Sequence, residues 1–350
     1  MTCWVISRRS TGRRRGTCSA VDTGAGAPHT RRQWRSPMDI SIAEFKPVEA
    51  DLGPACDIWN AAVAPQSELY LPMSPALMAE RLAGRTGIPA DICLLAEEAG
   101  RPVGLAIATT TSLTDRPAAD LACMAVMPGA RQQGIGETLL REVEQRCRAA
   151  GRETLKVDYS TTTRLAHGVD PTTPGHRWLL HRGFTVFRDQ LFMRLEMQDW
   201  RLPESIVSLV DGLEASGVTL RPAGPEETPS LLQCAAEFGP WIENSLQSNA
   251  ESATPAPVLV AIEDGTVRGF VGPLTISGCG VPDFDLIAVT ASERGRGVGK
   301  ALFYLCLEDF RQRGATLFEL MTAPTNPAQK LYLDAGMRLI CVLVCHEKRL

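Results

Sequence analysis

The segment Arg131-Gln-Gln-Gly134-Ile-Gly136 follows a short apolar run, and Arg294-Gly-Arg-Gly297-Val-Gly299 follows a second such run 163 positions later. The two runs also match each other, since Asp120-Leu-Ala-Cys-Met-Ala-Val126 corresponds to Asp283-Phe-Asp-Leu-Ile-Ala-Val289. A match at one fixed spacing is typical of an internal repeat. The sequence therefore predicts two copies of a single structural unit.

The residues around both segments predict the same order of elements in each copy. Amphipathic helices over 137–150 and 300–313 each end at a glycine, and a strand follows each of them. Upstream, Asp264-Gly265 between two apolar runs indicates a β-hairpin, and residues 94–109 have a similar form. Each copy then reads strand, helices, three strands, helix, strand, helix and strand, which predicts an α/β fold.

The chain length of 350 residues suits two domains of ordinary size. We place an N-terminal domain at 39–198, a linker that forms a short helix at 199–217, and a C-terminal domain at 218–350. Residues 1–38 are rich in arginine and show no hydrophobic periodicity. We interpret them as a disordered tail, a transit peptide, or the result of a mis-assigned start upstream of Met38.

Composition excludes several classes of protein. No apolar run reaches the ~20 residues that a membrane-spanning helix needs. The eleven cysteines are scattered without a zinc-site spacing, so we expect free thiols in the core, no metal, and a cytoplasmic location. Residues 37–350 carry 28 basic and 39 acidic side chains, which argues against a nucleic-acid partner.

The glycine-rich segments predict phosphate-binding turns. Glycine permits positive φ angles, and backbone N–H groups at the start of a helix attract an anion. Arg131, Arg294 and Arg296 add positive charge. Gly-Lys-Ser/Thr is absent, so neither segment is a P-loop. Each follows a strand in the middle of its domain, which is not the setting of a dinucleotide-binding fingerprint.

Both segments resemble the pyrophosphate-binding motif Gln/Arg-x-x-Gly-x-Gly/Ala of the GCN5-related N-acetyltransferase (GNAT) family. A late motif of that family, Asn-x-x-Ala-x-x-x-Tyr-x-x-x-Gly-Phe, resembles Asn326-Pro-Ala-Gln-Lys-Leu-Tyr332-Leu-Asp-Ala-Gly336-Met337, with the Asn one place closer and Met for Phe. The resemblance covers 39–198 and 218–350. It implies two tandem GNAT domains, each a mixed, mostly antiparallel sheet with splayed central strands flanked by helices.

The resemblance also implies an activity. Acetyl-CoA would be the co-substrate, and a primary amine of a small molecule or peptide would attack it directly in a ternary complex. In the second copy Tyr332 would protonate the leaving thiolate, and Asp283 would act as the base, with Asp285 as a second candidate. The residues that would bind acetyl-CoA are Ile287, Ala288, Val289, Arg294, Gly295, Arg296, Gly297, Val298, Gly299, Lys300 and Asn326, and in the first copy Val126, Arg131, Gln132, Gln133, Gly134, Ile135 and Gly136.

The first copy departs from the family pattern, because Leu179 stands where the second copy has Tyr332. Leucine cannot donate a proton, so His176, His181 or Tyr159 would have to replace it. Three interpretations stay open: an enzyme active only in its C-terminal domain, an enzyme with both domains active, and a non-catalytic acyl-CoA-binding or sensing protein. The tandem pair fits a monomer or a homodimer.

Overall fold

Both glycine-rich segments lie between a strand and a helix in the computed structural model of the protein, as the sequence predicts. The structure describes residues 40–47, 52–66, 69–83, 90–111, 117–158, 165 and 168–350. The interpretation of residues 1–38 and the proposed donor Tyr159 therefore lie outside the described residues. Residues 39–350 belong to one unit by their internal contacts.

The described elements of the first copy follow the predicted order, and the linker contains the expected helix, α5 (Glu204–Ala215). In chain order the first copy has β1 (Ile40–Glu44), α1 (Gly53–Ala62), α2 (Pro75–Ala83), β2 (Ile92–Glu98), β3 (Arg101–Thr109), β4 (Ala118–Val126), α3 (Ile135–Ala149), β5 (Thr154–Val157), α4 (Pro174–His181) and β6 (Thr185–Glu196).

The second copy repeats this order with one addition, a two-residue strand pair before its central strand. Its elements are β7 (Val218–Pro222), α6 (Thr228–Ala236), α7 (Pro240–Ala250), β8 (Leu259–Glu263), β9 (Thr266–Gly272), β10 (Thr275–Ile276), β11 (Pro282–Asp283), β12 (Leu286–Val289), α8 (Val298–Gln312), β13 (Leu317–Thr322), α9 (Gln329–Asp334) and β14 (Arg338–Arg349).

The predicted continuous strand from Asp283 to Val289 is wrong in one respect. Asp283 pairs with Thr275 in the β10–β11 pair, while β12 begins only at Leu286 and pairs with β9. Asp285 lies in the break between the two strands, where its carboxylate accepts a hydrogen bond from the Ser245 hydroxyl on α7. The break moves Asp283 out of the central strand while keeping it next to β13.

The two copies exchange their last strands. The larger sheet has the order β1-β2-β3-β4-β5-β14-β6-β13. Thus β14 of the second copy lies between β5 and β6 of the first, and β6 lies between β13 and β14. The exchanged strand also contributes to the hydrophobic core of the other copy, since Leu195 of β6 packs with Phe303 and Tyr332 of the second copy. Sequence analysis did not predict this pairing.

The central strands differ between the copies. In the first copy β4 pairs in parallel with β5 over Ala118–Asp120 and then diverges from it. In the second copy β12 closes a separate sheet of order β12-β9-β8-β7, and no described strand pairs with its other edge. A gap therefore separates β12 from β13, which is the splayed arrangement that the family resemblance implies.

The nine cysteines in the described part of the chain are free thiols, and seven of them are buried. Burial raises the pKa of the Cys123 and Cys345 thiols to about 12, so both stay protonated at neutral pH. No helix among the described residues is long and apolar enough to cross a membrane. The same residues contain no group of His, Cys, Asp and Glu that could hold a metal ion.

Candidate functional site

The glycine-rich turn of the second copy forms a concave backbone surface at the start of α8. Gly295 and Gly297 have φ angles of 83° and 90°, which side chains rarely adopt, so glycine is needed at both positions. No side chain caps the first N–H groups of α8, which leaves them available to an anion. Arg294 and Lys300 are exposed beside the turn.

Arg296 has a structural role in that turn. Its guanidinium forms ion pairs with Glu263 at 2.8 Å and with Glu293 at 2.7 Å. Glu293 is 2% exposed and lies just before the turn, while Glu263 ends β8. Arg296 therefore connects the turn to the end of β8. Arg294 and Lys300 are consequently better placed than Arg296 to meet a phosphate.

The outer edge of β12 offers backbone groups to an extended ligand. Thr290 N–H donates to Arg268 O at 2.8 Å, which fixes the side of the strand that faces β9. Neighbouring residues of a strand point their N–H and C=O groups in opposite directions. The N–H groups of Ile287 and Val289 therefore point into the gap, whereas those of Ala288 point to β9.

A cleft of about 310 Å³ fills the gap between β12 and β13. Tyr332 and Asn326 line it on the side of α8 and α9, and Asp283 and Asp285 line it from the strand break. This size is at the lower end of small-ligand pockets. The structure thus brings Tyr332 and Asp283, to which the family resemblance assigns catalytic roles, to the same cavity.

Tyr332 contributes a buried hydroxyl group to this cleft. Its side chain is 5% exposed and its ring lies 5.0 Å from that of Phe303. Burial raises the pKa of its hydroxyl, which keeps the group protonated at neutral pH. The hydroxyl makes no hydrogen bond with any described residue. The oxygen is therefore not part of a network that stabilises the fold.

Asn326, by contrast, is engaged in local structure. Its side-chain amide donates to Thr322 Oγ1 at 2.8 Å, and its carbonyl accepts from Ala328 N–H at 3.0 Å. These bonds hold the turn that precedes α9, the helix that carries Tyr332. Asn326 lines the cleft while it fixes the direction of that helix.

Sequence analysis missed two charged residues of this cleft, Glu319 on β13 and Arg81 on α2. Arg194 of β6 donates to Glu319 Oε1 from Nε at 2.7 Å and from Nη2 at 2.6 Å. Burial raises the pKa of Glu319, while Arg194 and Arg81 act in the opposite direction. The sequence contains one signal, which is that Glu319 is a charged residue within an apolar strand. Arg81 and Arg194 could not be associated with it, because both belong to the other copy.

The turn of the first copy is open but carries different charges. A side chain at Gly134 would meet no atom within 4 Å, although the φ of 82° favours glycine there. Arg131 donates to Val126 O and Ala62 O, which ties the turn to α1. Glu137 occupies the place of Lys300, so the first turn of α3 holds an acid where α8 holds a base.

The cleft of the first copy has a different lining from the second. It measures about 130 Å³, and Trp59, Tyr70 and Leu179 are among its lining residues. No Asp, Glu or His of the described chain lines it. Burial raises the pKa of the Tyr70 hydroxyl, which donates to Gly168 O at 3.5 Å. This cleft is therefore more apolar and smaller than the second.

The two histidines proposed as substitutes are engaged elsewhere. His176 Nδ1 lies 3.0 Å from Nε2 of His346, a fully buried residue that the exchanged strand β14 brings into the first copy. Burial lowers the pKa of His346 to about 4, and His176 adds to the effect. His181 Nδ1 contacts Arg177 O at 2.7 Å. Neither His176 nor His181 lines the cleft.

The model of the acetyltransferase (GNAT) family matches residues 57–166 and again residues 227–337. The chain belongs to the acetyltransferase (GNAT) family. Its two matched regions contain the two glycine-rich turns, one in each copy. This GNAT protein is thus an N-acetyltransferase by family and has the tandem arrangement that the repeat predicts.

Known proteins resemble this GNAT chain over most of its length. A mycothiol acetyltransferase of Thermomonospora curvata is 28% identical over 237 residues, which are 63% of this chain and 71% of the relative. A GCN5-related N-acetyltransferase from Sphaerobacter thermophilus has a TM-score of 0.66 at 18% identity, covering 89% of this chain and 95% of that one. A tandem GNAT protein from the clavulanic acid biosynthesis pathway has a TM-score of 0.65 at 16% identity, covering 89% and 98%. The two structural likenesses show a shared fold.

Proposed function

We propose that the protein transfers an acetyl group from acetyl-CoA to a primary amine in the cleft between β12 and β13. The observation that carries this proposal is the meeting of three features in one cavity. Ile287 at the outer edge of β12, the buried Tyr332 and Asp283 all line it, and the glycine-rich turn of α8 follows β12 in the chain. The acceptor is a small molecule or a peptide.

The residues around this cavity fit the parts of acetyl-CoA. The backbone of Gly295 to Gly299 and the side chains of Arg294 and Lys300 would bind the pyrophosphate at the N-terminus of α8. The open groups of Ile287 and Val289 would pair with the amides of the pantetheine arm, as an added strand would. Where the arm ends at the thioester, Val289 N–H would instead bind the thioester oxygen as negative charge develops on it.

Acetyl-CoA supplies the acetyl group as a thioester, and the residues of this chain move the protons. Asp283 removes a proton from the ammonium of the acceptor, so that the free amine attacks. A carbon–nitrogen bond forms, the carbon–sulfur bond breaks, and the nitrogen releases its second proton to solvent. The Tyr332 hydroxyl gives its proton to the leaving sulfur and regains one from solvent. Most of the remaining rate gain comes from holding the two reactants together.

Replacing Tyr332 by Phe tests this assignment. We expect kcat to fall roughly 10²- to 10⁴-fold, the usual contribution of a general acid, with no change in the dissociation constant of acetyl-CoA. Stability should stay the same, because the hydroxyl has no hydrogen-bond partner among the described residues. Tyr304→Phe is the matched control, since Tyr304 is a buried tyrosine of α8 outside the cleft. Full activity of Tyr332→Phe would exclude the proposed role.

A second function, binding of acyl-CoA without turnover, is favoured for the first copy. Its turn is open and its cleft is apolar, but Leu179 replaces the proton donor. Titration calorimetry with acetyl-CoA should detect two sites in the wild-type protein. Gly136→Glu should remove one site and Gly299→Glu the other, since a Cβ fits at both positions at ordinary contact distance. A single site that survives Gly136→Glu would make the first copy a purely structural domain.

A further inference from the structure

One wall of the second cleft is built by the first copy. Phe318 and Leu320 of β13 pack towards α8 and Tyr332, so the alternation of the strand turns Glu319 and Met321 to the opposite face. On that face Met321 packs against Phe192 of β6. Arg81 of α2 and Gln190 of β6 complete this wall. The first cleft differs, because its described lining residues all come from its own copy.

Glu319 is held rigidly at this wall. Both contacts from Arg194 reach the same oxygen, Oε1, and the two side chains are 22% and 9% exposed. The second oxygen, Oε2, accepts no hydrogen bond from a described residue, and Glu319 lines the cleft. A carboxylate fixed through one oxygen presents the other to a ligand in a defined direction.

The charges of the cleft indicate what kind of ligand this oxygen meets. The acids Asp283, Asp285 and Glu319 line it, and Arg81 is the one basic residue among the described lining residues. The proposed reaction uses Asp283 for the reacting amine. Glu319 lies on a different strand and is thus available for a second group of the same acceptor.

We propose, on the basis of the proposed acetyl transfer, that the acceptor is a diamine whose non-reacting ammonium group binds Glu319 Oε2. Glu319 is then a specificity-determining residue, and Arg194 is a positioning residue that acts through it. The acceptor thus binds to Glu319 of the second copy, which Arg194 of the first copy holds in position. Selectivity for the second ammonium group therefore depends on residues of both copies.

The test compares three acceptors of equal length with the full chain: 1,4-diaminobutane, butylamine and 4-aminobutanoate. Initial rates of CoA release give kcat/KM for each acceptor. We expect the diamine to exceed butylamine by roughly ten-fold or more, the usual gain from a charge-assisted hydrogen bond, through a lower KM. Preference for 4-aminobutanoate, or equal use of all three, would overturn the inference and leave acetyl transfer intact. No turnover with any of the three would count against both.

Glu319→Gln should abolish the preference for the diamine, so that the ratio of kcat/KM for the diamine to kcat/KM for butylamine falls to about one. Arg194→Lys keeps the charge but loses the two-point contact, so we expect an intermediate preference. Glu308→Gln is the matched control, because Glu308 pairs with Arg311 on α8 outside the cleft. An unchanged preference in a folded Glu319→Gln protein would overturn the assignment.

Discussion

Asp120 in the first copy makes the stability of the protein depend on pH in an unusual direction. Burial raises the pKa of its carboxyl from 3.8 to about 7, and the nearby Asp158 adds to this effect. Lys156 and Arg188 oppose it without cancelling it. The folded protein therefore binds a proton at Asp120 more tightly than the unfolded chain does.

The sign and size of the effect follow from these two values. The contribution of the Asp120 carboxyl to the free energy of unfolding is fully present below pH 3.8, and it is lost as the pH rises through about 7. Between pH 5 and 8 the loss amounts to about 2.5 kcal/mol, at 1.36 kcal/mol for each unit. Asp120→Asn removes the titrating group, so the free energy of unfolding of the variant, relative to wild type, should increase by that amount over the same range.

Urea unfolding of both proteins at pH 5, 6, 7 and 8, followed by circular dichroism, measures this difference directly. The comparison across pH cancels any constant effect of the substitution on packing. Asp211→Asn, an exposed change on α5, controls for the exchange of carboxylate for amide. A difference between Asp120→Asn and wild type that stays constant within about 0.5 kcal/mol from pH 5 to 8 would refute the reasoning.

Two further predictions concern packing between elements. Gly297→Ala should destabilise the protein by about 1 kcal/mol more than Gly134→Ala, because a Cβ at Gly297 would lie 2.9 Å from Leu209 Cδ1 of α5, whereas the strain of positive φ is common to both positions. Adding Leu209→Ala should remove this extra loss in the free energy of unfolding, measured by urea titration. If the extra loss is unchanged in the double variant, the contact with Leu209 is not its cause. Deletion of β14 should unfold the first copy as well as the second, because β5 and β6 lose the strand that lies between them. Circular dichroism of the deletion variant measures this, and retention of half the native ellipticity would show that the first copy folds without β14.

The order of elements could be predicted from local patterns alone. The hairpins are an example, since Asp264 and Gly265 both have the positive φ angles that their sequence indicates. The glycine-rich turns are another, because the chemistry of the turn lies within six consecutive residues. In both cases the residues that determine the structure are neighbours in the chain.

The exchanged strands and the composite cleft could not be predicted in this way. β6 and β14 are both strands of 12 residues that end their copies, and their local patterns do not specify which copy each strand joins. The Glu319–Arg194 pair depends on that choice, since the two residues are 125 positions apart. Asp283 shows a third limit, because it pairs with Thr275 across the β10–β11 pair although the repeat aligns it with a continuous strand.

The strand exchange also bears on the ancestry of the chain. A single copy on its own would leave a slot beside its fifth strand, and an identical chain could fill that slot by giving its own last strand in return. Such reciprocal contacts about a twofold axis are the usual form of a homodimer. Joining two copies through residues 199–217 would turn that association into an intramolecular one, so folding would no longer depend on protein concentration.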